Sequence, residues 1–171
     1  PIARRALEAS DQEEKYAAVL SYLELAGEAA FPELIGHIQA ASGSACASLL
    51  RGFFHATNYL QLDVVHSSHL ESLLAVLEEV ARDPDAEARL MAAMQLAWLH
   101  EPACTQAFVS AFEEEKDPAV KAHWLYLAAS LMTPAYPDLL ASSLQDSMDK
   151  VREMAEYLTK QEKRKQNAEH A

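Results

Sequence analysis

A chain of 171 residues can bury one core, and with half of them hydrophobic and only four glycines it does not read as a disordered polypeptide. Ala, Leu and Glu dominate, and all three are good helix formers. The formal net charge of −12 repels phosphate backbones and anionic lipid, which argues against nucleic acid and membrane surfaces as partners. No apolar run approaches the roughly 20 residues of a membrane span, and no signal peptide stands at Pro1. Cys46 and Cys104, two thiols far apart in sequence, do not read as a disulfide framework or a zinc site. Buried, reduced thiols in a cytoplasmic protein are expected.

In chain order, residues 1–10 carry Arg4 and Arg5 and are expected to fray. Ser10 or Asp11 can cap a first helix, with Glu13 and Glu14 in its opening turn and Tyr16, Val19, Leu20, Leu23 and Leu25 on its apolar side. Gly27 ends it, and Pro32 starts a second helix with Leu34, Ile35 and Ile38 inward. Together they make an N-terminal capping hairpin over 11–41. Ser42-Gly43-Ser44 is a turn. A helix from about Ala45 to Thr57 and an amphipathic helix carrying Leu70, Leu73, Leu74, Leu77 and Val80 form a degenerate repeat over 45–82. The connection between them, Asn58–Ser68, is long and reads as a protruding loop.

One stretch is then written three times: Asp83-Pro84-Asp85-Ala86-Glu87-Ala88-Arg89, Asp117-Pro118-Ala119-Val120-Lys121, and, more faintly, Asp146-Ser147-Met148-Asp149-Lys150-Val151-Arg152. Asp before a helix accepts from free N–H groups of the first turn, and Pro at the first helical position loses no bond. Each copy opens an apolar stripe at helical spacing: Ala88, Ala92, Leu96, Leu99; Val120, Trp124, Ala128, Leu131; Val151, Ala155, Leu158. The step is about 32 residues, the period of stacked helical hairpins. The copies set repeats at 83–116 and 117–145 and a C-terminal capping helix at 146–165. Lys160, Lys163, Arg164 and Lys165 suit the negative end of that last helix, and the residues after it read as a disordered tail.

This pattern resembles the HEAT repeat family in its short bacterial form, over roughly residues 68–160. The resemblance implies an all-α fold, an α/α superhelix (a HEAT-like solenoid) of about four helical hairpins in a single domain over 1–171. It also implies that Asp83, Arg89, Asp117, Lys121, Asp146 and Arg152 bridge neighbouring repeats as a structural ladder. In such stacks the second helix of each hairpin commonly lines a concave, partner-binding face. On those helices the residues away from the leucines recur at i, i+4 and i+7: Glu71, Ala75 and Glu78; Gln106, Ser110 and Glu113; Asp138, Ser142 and Gln145. Side by side they make a polar, net acidic groove suited to a protein partner with a basic surface.

Catalytic chemistry has little support. No Gly-rich phosphate loop and no Gly-x-Ser-x-Gly elbow is present. Asp63, His66 and His69 have spacing that could gather a metal, but loop polarity accounts for them better, and no metal or cofactor is expected. His55, His100 and His123 read as packing or helix-end residues. Trp124 falls on the apolar stripe, whereas Trp98 lies off it and is expected between repeats or partly exposed. The expected function is a non-catalytic protein–protein interaction adaptor or scaffold, regulatory or chaperone-like. The alternative is a bilin-lyase-like, ligand-handling protein, because short HEAT repeats also occur in phycobilin lyases. Such a site needs an apolar cleft with a basic residue for the propionates, and the sequence shows no such cluster.

Overall fold

The computed structural model describes Leu7 and residues 11–169. The expected fraying of residues 1–10 falls, Leu7 apart, outside that range. The described residues hold nine α-helices and no strand: α1 (Gln12–Ala26), α2 (Phe31–Ala40), α3 (Gly43–Tyr59), α4 (Leu70–Val80), α5 (Ala86–Leu99), α6 (Pro102–Glu114), α7 (Pro118–Ser130), α8 (Tyr136–Ser143) and α9 (Asp149–Glu169). Consecutive helices pack together where α2 meets α3, α5 meets α6 and α7 meets α8, and α9 closes the stack on α7 and α8. The result is an all-α helical repeat in two rows.

The first row contains α1, α3, α5, α7 and α9, each packed on the next. The second contains α2, α4, α6 and α8. Neighbours approach more closely in the first row, and contact within the second fades between α6 and α8. Side-chain size explains part of this. The first row carries many small core residues, among them Ala47, Ala56, Ala88, Ala92, Ala93, Ala97 and Ala128, all fully buried. At the α1–α3 crossing even a methyl group is too much: a Cβ on Gly52 would lie 2.9 Å from Val19 Cβ and 3.1 Å from the Tyr16 carbonyl oxygen. Between the rows runs one continuous core, with Phe31 against Phe53 and Phe108 against Trp124 at ring separations of 5.3 and 5.6 Å. Trp124 is fully buried, while Trp98 is 42% exposed and meets Phe54 of the preceding repeat edge-on.

Local signals explain the helix starts. Asp11 caps α1 by accepting from the Glu14 N–H at 2.9 Å, and Gly27, at φ +56°, ends it. Asp117 caps α7 by accepting from Ala119 and Val120, with Pro118 at the first helical position. The first copy departs from expectation: Asp85, not Asp83, caps α5, so Pro84 stands outside the helix.

Two further expectations are corrected. The segment after α3 does not protrude. The Leu62 N–H donates to the Thr57 carbonyl at 2.9 Å, Val64 is buried, and Leu60, Leu62 and Val65 pack on the core. The basic run near the C-terminus is not followed by a disordered tail within the described residues; α9 continues unbroken to Glu169.

Candidate functional site

The repeating acid–base ladder is the first candidate, and its geometry is structural. Asp83, Glu115 and Asp146 occupy the same register, each five residues before the first buried residue of its helix, Ala88, Val120 or Val151. Each carboxylate accepts a backbone N–H two residues on, from Asp85, Asp117 and Met148 at 2.8 to 2.9 Å. Each also accepts from the repeat before it. The Gly43 N–H reaches Asp83 at 3.3 Å, the Arg89 guanidinium reaches Glu115 at 2.7 Å, and Lys121 Nζ reaches Asp146 at 3.0 Å. Burial of the Asp146 carboxyl opposes ionisation, but the Met148 N–H and Lys121 outweigh it and hold its pKa below the ordinary carboxyl value. Of the expected ladder, Asp83, Arg89, Lys121 and Asp146 take their places. Asp117 does not: it caps its own helix, and Glu115 stands in the position assigned to it. Among the described residues Arg152 bridges no repeat; it binds Asp149 and the Asp146 carbonyl, close by in its own segment.

The nine second-row residues, Glu71, Ala75, Glu78, Gln106, Ser110, Glu113, Asp138, Ser142 and Gln145, are all exposed. Glu71, Glu78, Glu113 and Asp138 form no ion pair with a described basic residue. Asp63 and His66 bind each other at 2.9 Å, whereas His69 turns its ring toward Phe31; no metal-binding cluster occurs among the described residues.

A different surface emerges on the first row. Counted from the ladder base, the residues two, five and nine further on are Met91, Met94 and Trp98; His123, Tyr126 and Ser130; Met154, Tyr157 and Gln161. These offsets share one helical face. Tyr126 and Tyr157 are 44% and 50% exposed, and Tyr59 near the end of α3 is 69% exposed. With Trp98 this sets one exposed large aromatic on each of α3, α5, α7 and α9. Between α7 and α9 the stripe opens into a groove of about 550 Å³ walled by Tyr126, Met154 and Tyr157, with His123, Lys150 and Glu153 at its edges. Sequence reasoning missed this face. The signal was present in the repeat register, but Met and Tyr at helical spacing read as core within any single helix.

With the two rows and their ladder in place, comparison with known families is decisive for the fold. A family model described as HEAT repeats matches residues 71–159, just over half of the chain. The chain belongs to the HEAT repeat family. Within this HEAT protein the match begins in α4 and ends in α9, so α1, α2 and α3 lie outside it. No curated protein and no solved structure matches the chain. Among the described residues no helix is long and apolar enough to cross a membrane.

Proposed function

We propose that this HEAT protein is a non-catalytic adaptor or scaffold that binds a protein partner bearing a basic surface, and that its principal contact is the exposed face of the first row. One observation carries the reading: successive first-row helices each expose a large aromatic, Tyr59, Trp98, Tyr126 and Tyr157. Aromatics concentrate binding energy at interfaces, and exposed apolar patches on a folded chain commonly mark interaction sites. The closer spacing of first-row helices supports placing this face on the inside of the curve, because the inner path of a bent double row is the shorter one. The chain's charge of −12 favours a basic partner.

A second reading places the partner on the acidic second row, favoured by four exposed carboxylates that form no ion pair among the described residues. A bilin-handling role is favoured by the α7–α9 groove, which sets Lys150 beside the apolar surface of Tyr126, Met154 and Tyr157. That is the combination of cleft and cation the sequence did not reveal.

Affinity capture from source lysate separates the readings. The native chain is run beside Tyr126→Ala/Tyr157→Ala and Glu71→Lys/Glu78→Lys/Glu113→Lys variants of matched helical content. One protein retained by the native chain and lost by the tyrosine variant is the expected result. Loss only with the charge-reversed variant moves the contact to the second row. A co-purifying pigment absorbing in the visible, with no protein retained, replaces the adaptor with the bilin reading.

A further inference from the structure

We propose that the pocket between the C-terminal ends of α3 and α5 receives an arginine side chain of the partner. The pocket measures about 460 Å³ and is closed on its third side by residues 61–65 of the following segment. This deepens the basic-partner reading and rests on it for the origin of the side chain; the site itself can be tested with no partner present.

Four features of the pocket favour a cation. First, Thr57 and Asn58 come from the last turn of α3, and Trp98 and Leu99 from the last turn of α5. Two helix C-termini therefore converge there, each with the partial negative charge of its carbonyl end. Neither last turn carries a basic residue to offset it. Second, Gln95 is 2% exposed and lines the pocket. Its Nε2 donates to the Leu50 carbonyl at 3.3 Å, and its Oε1 accepts nothing from a described residue. That oxygen is an acceptor still open to solvent, and the pocket is where a donor can reach it. Third, Asp63 lines the rim, while no Lys or Arg does. His66, which binds Asp63, stands outside the lining. Fourth, Trp98 forms one wall, and indole is the best aromatic surface for a cation. A guanidinium suits this set better than an ammonium. Its planar fork donates to an amide and a carboxylate together while its face lies on a ring.

Fluorescence provides the test on the full chain. Trp124 is fully buried and Trp98 is 42% exposed, so quenching by acrylamide reports Trp98. The probes are Nα-acetyl-arginine amide and its neutral isostere Nα-acetyl-citrulline amide, at equal ionic strength. The arginine probe is expected to shield Trp98 with a half-saturation about tenfold below that of citrulline. Asp63→Asn, a substitution at an exposed position, is expected to remove most of that preference. The Glu71→Lys/Glu78→Lys/Glu113→Lys variant is expected to keep it within about twofold, because none of the three residues lines the pocket and exposed charges are screened by salt. Equal shielding by the two probes, an unchanged preference in Asp63→Asn, or its loss in the second-row variant would each overturn the assignment. If the pocket takes arginine but no basic protein is ever captured, the partner reading fails and the site stands.

Discussion

Glu114 and Glu115 are adjacent in sequence, each pairs with an arginine of the preceding repeat segment, and yet only one of them should matter to stability. Glu114 meets Arg82 with side chains 57% and 50% exposed. Pairs so open to water contribute little, because solvation competes and two long side chains must be ordered. Glu115 meets Arg89 with side chains 5% and 14% exposed, and it also accepts from the Lys116 and Asp117 N–H groups. Glu115→Ala therefore strands a largely buried guanidinium and two backbone donors. Breaking a buried pair from one side costs about 3–5 kcal/mol. Arg89 keeps the Asp83 and Pro84 carbonyls at 2.9 and 3.1 Å, which puts the loss at the lower end. We expect about 3 kcal/mol by urea titration, and a melting temperature lower by about 6–12 °C for a chain of this size. Adding Arg89→Met to Glu115→Ala should recover part of the loss, since the stranded charge is gone. Glu114→Ala should leave the midpoint unchanged. Equal losses for Glu114→Ala and Glu115→Ala would refute the reasoning that burial, rather than pairing, decides the contribution.

The remaining predictions concern packing and ionisation. Gly52→Ala should destabilise by about 1–3 kcal/mol through the clash with Val19, whereas Gly36→Ala, with open space at its Cβ, should stabilise by up to about 1 kcal/mol; thermal melts compare them directly. Because the Asp146 pKa is depressed in the fold, its contribution is full above the ordinary carboxyl value of 3.8 and lost as pH falls through the folded value. The stability gap between the native chain and Asp146→Asn should therefore be largest near neutral pH and close below about pH 4. Burial pushes the Cys46 thiol up to about 12 and the Cys104 thiol to about 11, so neither should react with a disulfide reagent at pH 8 until urea unfolds the chain.

The fold was legible because its punctuation is local. Asp11, Asp117 and Pro118 act where they stand, and the apolar spacing of α5, α7 and α9 fixes which face turns inward. Register was harder. The eye follows Asp-Pro, but the position that repeats in space is the acid five residues before the helix core. In the middle repeat that acid is Glu115, hidden two residues upstream of a better-looking motif. The segment after α3 was misread because loop length says nothing about whether Leu62 and Val64 fold back onto the core. The two surfaces differ for a similar reason. Acidic residues opposite leucines stand out on one helix alone, so the second row could be read directly. Tyr126 and Tyr157 become a face only when α7 and α9 lie side by side, and Gln95 becomes notable only when its burial and missing donor are seen.

The most direct test of the binding account is hydrogen–deuterium exchange on the chain with and without its captured partner. The account predicts protection confined to the exposed face of α5, α7 and α9 and to the end of α3, with α4, α6 and α8 unchanged. Protection on α4, α6 and α8 alone would contradict it and place the partner on the acidic row.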